Sequence, residues 1–197
     1  MKNDQINIAR ATEDLSPKVA ILVGELLHEI MERIGINAFN FDLDETIQRL
    51  RDFIVNEKNF VFVAQDTEFG EVIGFITVYE GFALYAEGAF GTMAELYVRP
   101  AYRSRGIGKM LIQSVKDFGN QRGWKRLEVT TPPLPQFDAT LAFYEREGFE
   151  ISGGRKMKRV IKDYRRQKSR NGKGCGCGTL QRVYPRWSES VGAEKET

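Results

Sequence analysis

The chain has 197 residues, of which 42% are hydrophobic and 28% are charged, and its formal net charge is +2. This length and composition are typical of one soluble globular domain and do not require two. No run approaches the roughly 18 apolar residues of a membrane span, and the first ten residues lack the apolar core of a signal peptide. We therefore expect a cytoplasmic protein with no membrane partner.

The first half of the chain predicts a strand, two helices and a hairpin. Apolar residues recur at three- and four-residue steps through residues 16–35, as in an amphipathic helix. Ser16 can cap this helix, and Pro17 can occupy its first turn. Two runs of β-branched and aromatic residues favour an antiparallel hairpin. The predicted elements are strands at residues 6–11, 60–66 and 71–81 and helices at residues 16–35 and 42–59.

The second half alternates strands with helices, after a predicted loop at residues 81–91. A strand that ends at Pro100 leads into a helix, and the same order is then repeated. Because helices interleave with the strands of a mixed sheet, the predicted fold class is α/β or α+β. The predicted elements are strands at residues 93–100, 125–131 and 149–160 and helices at residues 108–124 and 139–149.

The two ends of the chain differ in charge. Residues 1–154 hold 16 basic and 23 acidic side chains, a net charge of −7, whereas residues 155–173 hold ten basic residues against one acid, Asp163. Past Val160 the chain is basic and then rich in Gly, Ser and Glu, with little periodicity. We predict a domain over residues 1–160 and a poorly ordered tail over residues 161–197.

The basic run at residues 155–173 has two interpretations. It can bind nucleic acid or another acidic partner by neutralising phosphates, or it can be a solvated extension, as most charge runs are. We prefer the second, because Tyr164 is the single aromatic residue that accompanies the run.

Residue types that usually carry metal or nucleophilic chemistry are scarce. His28 is the one histidine and falls within a helical pattern, so a histidine-dependent triad or a metal hydrolase is a poor fit. Cys175 and Cys177 stand one residue apart, where they cannot easily form a disulfide, and they lack further zinc ligands. No metal site is predicted.

Residues 103–109, RSRGIGK, join a predicted strand to a predicted helix and suggest a phosphate-binding loop. A P-loop is excluded, because Arg103 stands where the motif needs glycine and Met110 where it needs Ser or Thr. The dinucleotide fingerprint and the kinase glycine loop both fail at Leu111, which replaces their third glycine. The pattern R-x-x-G-x-G remains. Its glycines allow close approach of an anion to the helix N-terminus, and Arg103, Arg105 and Lys109 add positive charge.

Two segments carry a resemblance to a known family. ELYVRPAYRSRGIGKML, residues 95–111, resembles the acetyl-CoA-binding motif of the GCN5-related N-acetyltransferase (GNAT) family, in which a strand, a loop and a helix hold the pyrophosphate of coenzyme A. ATLAFYEREGFE, residues 139–150, resembles the family's helix near the thiol end of that cofactor. The resemblance covers about residues 5–159. It implies a mostly antiparallel central sheet with flanking helices, splayed to hold acetyl-CoA.

The resemblance also implies site residues. The backbone groups of Tyr97 and Val98 are expected to pair with the pantetheine arm of acetyl-CoA. Tyr144 matches the family tyrosine whose hydroxyl can protonate the departing thiolate, which suits a side chain that is protonated at neutral pH. Phe137 stands where family members often have asparagine. The pyrophosphate is expected on the backbone amides of Arg103, Ser104, Arg105, Gly106, Ile107, Gly108 and Lys109.

The acceptor side is less defined. Glu95 is the candidate base for the attacking amine, directly or through water, although a plain sheet-edge carboxylate is the alternative; for Tyr144 the alternative is a core aromatic. Phe39, Phe41 and the loop at residues 81–91 are candidates for the acceptor site. The resemblance implies direct transfer, without a covalent enzyme intermediate, and it leaves a homodimer open.

The function that the resemblance implies is transfer of an acetyl group from acetyl-CoA to a primary amine of a small molecule or peptide. Two alternatives belong to other classes. One is a catalytically inactive CoA-binding regulatory module, and the other is a nucleic-acid-associated protein that acts through its basic tail. The acidic body is compatible with a cationic amine acceptor, because opposite charges steer association.

Overall fold

A computed structural model of the chain describes residues 5–86, 88–131 and 134–152. The helices are α1 (Ser16–Ile34), α2 (Leu43–Val55), α3 (Ile107–Gln121) and α4 (Asp138–Arg146). The strands are β1 (Ile6–Arg10), β2 (Phe60–Asp66), β3 (Glu71–Ala83), β4 (Gly88–Val98) and β5 (Leu127–Val129).

The strands form one five-stranded sheet in the order of the chain. Neighbours from β1 to β4 are antiparallel, whereas β5 lies parallel to β4 because the chain returns through α3. A parallel pair needs such a crossover, and a hairpin supplies only antiparallel pairs. The predicted fold class, a mixed and mostly antiparallel sheet with flanking helices, is confirmed.

Helices cover both faces of the sheet. In β2, Phe60 and Phe62 pack toward α3 and α4, whereas Val61 and Val63 pack toward α1 and α2. Successive strand residues point to opposite faces. A strand that is covered on both faces therefore reads as a continuous apolar run, as residues 60–64 do.

The start of α1 differs from the prediction for Ser16. Leu15 occupies the N-cap position, Ser16 is the first helical residue, and Pro17 lies in the first turn as expected. Ser16 is fully buried, and its hydroxyl has no hydrogen-bond partner among the described residues. The prediction that Ser16 caps the helix was wrong.

Residues 81–91 are mostly strand rather than loop. β3 and β4 pair as far as Ala83 and Gly88, and a short 3-10 turn at Leu84–Ala86 lies between them. Gly81 pairs with Phe90, and a Cβ atom on Gly81 would lie 2.7 Å from the Phe90 ring. Glycine at this position makes room for an aromatic ring across the hairpin.

Several predictions fall at the end of the chain. Residues 149–152 are described and do not form the predicted last strand. Residues 153–160, the basic run at 155–173, the tail at 161–197 and both cysteines lie outside the described residues. In the described part of the chain, no helix is long and apolar enough to cross a membrane, and no three His, Cys, Asp or Glu side chains are grouped to hold a metal ion.

Candidate active site

The candidate site begins where β4 loses one of its two neighbours. β4 pairs with β3 as far as Val98, but it pairs with β5 only from Gly91 to Met93. Beyond Met93, no other described strand pairs with this edge. The register against β3 shifts at the same level, between Thr77 and Val78, and such an irregularity bends a strand. The open edge of β4 therefore faces a cleft.

The cleft has a volume of about 680 Å³. One wall is residues 93–98 of β4, and the next is the loop with the first turn of α3. The remaining walls are one side of α1 and the side of α4 that carries Phe143 and Tyr144. Both segments that carry the family resemblance thus meet in one cavity.

The strand register decides which backbone groups face the cleft. The N–H of Arg99 donates to the carbonyl of Ile73 on β3 at 2.9 Å, and the N–H of Glu95 donates to Oγ1 of Thr77, also on β3, at 3.1 Å. Backbone groups alternate in direction along a strand. Those of Tyr97 therefore point toward β3, and those of Leu96 and Val98 lie at the open edge. Of the two residues predicted to pair with the pantetheine arm, Val98 lies at this edge and Tyr97 does not.

The loop after β4 leads into the N-terminus of α3, where backbone N–H groups have no partner within the helix. The first hydrogen bond of α3 joins the N–H of Met110 to the carbonyl of Gly106 at 3.0 Å. The N–H groups of residues 106–109 therefore have no acceptor within the helix. Ser104 and Gly106 have φ values of +61° and +78°, so the chain turns through two left-handed residues before the helix. Such a turn followed by a helix N-terminus is a site for an anion.

The second glycine of the loop serves packing. A Cβ atom on Gly108 would lie 3.1 Å from Cζ of Phe143 on α4. Glycine at this position lets α4 approach the first turn of α3 closely. The contact links the two segments of the resemblance and places α4 against the cleft.

The three basic side chains of the loop have different environments. Lys109 lines the cleft. Arg105 lies over the ring of Tyr102, with its guanidinium carbon 5.1 Å from the ring centre. The guanidinium of Arg103 pairs with both carboxylate oxygens of Glu29 on α1, at 3.0 and 2.5 Å. The hydrogen bond from Arg103 is the main cause that lowers the pKa of Glu29, against the opposing effect of burial.

Glu95 lies in the cleft with a carboxylate that is largely withdrawn from water. Burial raises its pKa above the usual range, and a hydrogen bond from the Thr77 hydroxyl opposes this shift. A carboxylate with a raised pKa is a stronger base than an exposed one. Glu95 therefore has the environment of a general base.

Tyr144 belongs both to the core and to the cleft. It is 6% exposed, and its ring centre lies 5.4 Å from that of Phe143 and 5.6 Å from that of Phe149. Burial raises its pKa to about 12. The hydroxyl therefore keeps its proton at neutral pH, as a general acid must.

Some cleft residues were not predicted from the sequence. Leu26, Glu29, Ile30 and Arg33 line the cleft from α1, and Phe137 lies beneath Arg33 with its ring centre 5.4 Å from the guanidinium carbon. The apolar stripe of α1 includes Leu26 and Ile30, and nothing in that pattern separates a cleft wall from a core contact.

The predicted acceptor residues lie elsewhere. The lining of this cleft does not include Phe39, Phe41 or the side chains of residues 81–85 and 88–91. Phe41 packs on α1 instead, where a Cβ atom on Gly24 would lie 2.8 Å from its ring, and Phe39 is 44% exposed.

Comparisons with known proteins agree on one family. The model of the acetyltransferase (GNAT) family matches residues 25–149. An uncharacterized N-acetyltransferase of Bacillus subtilis (strain 168), YhfO, is 28% identical over 113 residues, which are 57% of this chain and 73% of that protein.

Solved structures share the fold. An aminoglycoside acetyltransferase from an uncultured soil metagenomic sample, crystallised with trehalose, has a TM-score of 0.66 at 22% identity, covering 81% of this chain and 99% of its own. A ribosomal-protein-alanine N-acetyltransferase from Brucella melitensis biovar Abortus 2308 has a TM-score of 0.60 at 18% identity, covering 79% and 99%.

Proposed function

Because the chain belongs to the acetyltransferase (GNAT) family, we propose that it transfers the acetyl group of acetyl-CoA directly to a primary amine of a small molecule or peptide. The family match supports N-acetyl transfer in general. The choice of acceptor and the roles of individual residues are our proposal.

One observation carries the proposal. The open edge of β4 runs directly into the amide-rich N-terminus of α3, and Glu95 and Tyr144 line the same cleft. This arrangement fits the two parts of acetyl-CoA that need different partners. The backbone groups of Leu96 and the N–H of Val98 can pair with an extended chain of amides, as a neighbouring strand would. The N–H groups of residues 106–109, with Lys109 beside them, can hold a pyrophosphate.

The chemistry uses two proton transfers. Acetyl-CoA supplies the acetyl group as a thioester, which an uncharged amine can attack. Glu95 accepts the proton that the amine must lose, directly or through water, since burial raises the pKa of its carboxyl. Tyr144 donates its proton to the departing thiolate, and a pKa of about 12 ensures that this proton is present. Holding both reactants in one cleft supplies much of the remaining acceleration.

The acceptor is proposed only as a class. The two solved neighbours are named for unlike acceptors, an aminoglycoside and a ribosomal-protein alanine. At 22% and 18% identity they support the fold and leave the acceptor to be found by assay.

The proposal is tested by titrating acetyl-CoA into the wild-type protein and into the double variant Gly106→Trp/Gly108→Trp, by isothermal calorimetry. The side chain added at position 106 covers the proposed anion site, and the one added at position 108 pushes against the Phe143 ring beside the first turn of α3. We therefore expect binding by the wild type and none by the variant. Gly123→Trp is the matched control, because Gly123 also has a positive φ, lies just beyond the other end of α3 and has open space around it. Circular dichroism checks that each variant is folded.

A screen of amines by thiol release then identifies the acceptor. Failure of the wild type to bind acetyl-CoA contradicts the proposed function. Binding that survives in the double variant places the cofactor away from this loop. Binding without thiol release from any amine favours the alternative of an inactive CoA-binding module.

A further inference from the structure

Arg103 is the first residue of the loop at residues 103–109, and its side chain turns back toward α1. Its Nε donates to the carbonyl of Val98 at 2.8 Å, and its Nη1 and Nη2 donate to the two carboxylate oxygens of Glu29. Its guanidinium carbon also lies 5.4 Å from the centre of the Tyr97 ring. Three of the five guanidinium N–H groups are therefore committed to partners within the protein.

Glu29 is a firm anchor for this arginine. It also accepts a hydrogen bond from Nη2 of Arg33 at 2.6 Å, so two arginines share one carboxylate. The side chain of Glu29 is 23% exposed and that of Arg103 is 37% exposed. A two-pronged pair that is partly shielded from water holds its geometry better than a single exposed contact does.

The position of this pair gives it control over the loop. Val98 is the last residue of β4 and lies at the open edge, and Ser104 is the first of the two left-handed residues that turn the chain toward α3. A non-glycine residue keeps such a conformation only where its surroundings hold it there. The side chain of Arg103 ties Val98 to α1, and Ser104 follows Arg103 directly in the chain.

We propose that Glu29 is a positioning residue for acetyl-CoA. By holding the Arg103 side chain on α1, it fixes the loop so that backbone amides face the pyrophosphate and the guanidinium does not. The inference rests on the proposed function and adds a residue from the other side of the cleft, 74 positions away in the sequence.

An arrangement in which the Arg103 side chain faces the pyrophosphate makes a different prediction. If Arg103 bound the pyrophosphate directly, Glu29 would compete for it, and removing the Glu29 charge would strengthen acetyl-CoA binding. If Glu29 positions the loop, removing its charge weakens binding. The sign of the change therefore separates the two arrangements.

The experiment is a double-mutant cycle on acetyl-CoA binding, measured by calorimetry with Glu29→Gln, Arg103→Gln and the double variant. We expect each single variant to bind about tenfold more weakly, and the double variant also about tenfold rather than a hundredfold, because the residues act as one unit. The salt dependence of the dissociation constant is expected to stay that of the wild type, since no phosphate contact is lost.

Glu25→Gln is the matched control. Glu25 lies one turn earlier on α1 and makes a similar two-pronged pair with Arg99, at 2.9 and 3.2 Å, yet neither residue lines the cleft. Melting curves are expected to show similar small losses for Glu25→Gln and Glu29→Gln. Acetyl-CoA binding by Glu25→Gln is expected to stay within about twofold of the wild type. Arg103→Lys keeps the charge but loses the fork, and it is expected to bind as weakly as Arg103→Gln.

Three outcomes overturn the inference. The first is Glu29→Gln binding acetyl-CoA as tightly as the wild type or more tightly. The second is a loss of acetyl-CoA affinity that occurs only in the Arg103 variants, together with a dissociation constant that depends less steeply on salt. That result would make Arg103 a phosphate ligand. The third is a double variant whose loss of acetyl-CoA binding free energy equals the sum of the losses in the two single variants. If the wild type itself fails to bind acetyl-CoA, the proposed function fails first, and this inference fails with it.

Discussion

The two halves of β4 have the same neighbour on one side and different surroundings on the other. From Gly91 to Met93 the strand lies between β3 and β5, and Trp124 and Leu127 close over Gly91. From Ala94 to Val98 it has the cleft in place of β5, and Glu95 to Val98 still pair with β3. We call these the closed half and the open half.

The difference shows how one strand serves both stability and binding. In the closed half the edge that faces β5 is paired, as the hydrogen bond from the N–H of Gly91 to the carbonyl of Arg126 at 3.0 Å illustrates. In the open half the backbone groups of Leu96 and the N–H of Val98 lie at an edge, whereas the carbonyl of Val98 already accepts from Nε of Arg103. An exposed edge is a template for another extended chain. Substitutions in the closed half should change folding, and those at the cleft should change binding or catalysis.

The largest effect is expected from Gly91→Val in the closed half. A Cβ atom on Gly91 would lie 2.3 Å from Cζ3 of Trp124 and 2.6 Å from Cδ2 of Leu127, so the added side chain cannot fit without moving both. We expect a loss of about 3 kcal/mol in the free energy of unfolding, measured by urea denaturation.

Ala94→Val in the open half is the matched control, because Ala94 is exposed. Its free energy of unfolding is expected to stay within about 0.5 kcal/mol of the wild type. Equal losses from the two variants would contradict the division of β4 into a closed and an open half.

A large catalytic effect without a folding effect is expected from Tyr144→Phe. The substitution removes only the hydroxyl that we propose as the general acid, and kcat is expected to fall about 100-fold. The dissociation constant for acetyl-CoA should be unchanged, as measured by calorimetry. Tyr79→Phe is the control, since Tyr79 does not line the cleft. Full activity of Tyr144→Phe would leave Tyr144 as a core aromatic.

A change in pH dependence is expected from Glu95→Gln. As a base, Glu95 works only when ionised, so kcat/KM of the wild type should rise with pH through a pKa that burial places above the normal carboxyl value. Glu95→Gln should lose this limb of the profile and keep the one that belongs to the acceptor amine. Glu128→Gln, on β5 and outside the cleft, should keep both. If kcat/KM of Glu95→Gln depends on pH in the same way as that of the wild type and of Glu128→Gln, Glu95 is excluded as the base.

The smallest effect is on the pH dependence of stability. Because burial raises the pKa of Glu95 in the folded state, the folded protein binds this proton more tightly than the unfolded chain does. Stability should therefore fall as the pH rises above about 4.3, the usual pKa of glutamate. Glu95→Gln should be more stable than the wild type at pH 7 and equal to it at pH 3, as measured by thermal melting. A variant that is less stable at pH 7 would show that the Thr77 hydrogen bond outweighs burial.

Much of the fold was predictable because its signals are local. The stripe of α1, the hairpin of β2 and β3 and the junction of β4 with α3 all appear within a few turns or one hairpin of sequence, and each was found in the structure. The errors arose where a local signal had a distant cause. Residues 81–91 were predicted as a loop, but most of them extend the hairpin of β3 and β4, where the small size of Gly81 accommodates Phe90 on the paired strand.

The candidate site also has features that the local sequence predicts and features that depend on distant contacts. The order of residues 103–109 by itself determined that a helix N-terminus with two glycines follows a strand, and the segment at residues 139–150 supplied Tyr144. Only the tertiary structure decided that Leu96 rather than Tyr97 faces the open edge, because a register shift between paired strands sets that direction. It alone joined Glu29 to Arg103, because an ion pair depends on distance in space, and no pattern along the chain encodes a contact between residues 74 positions apart.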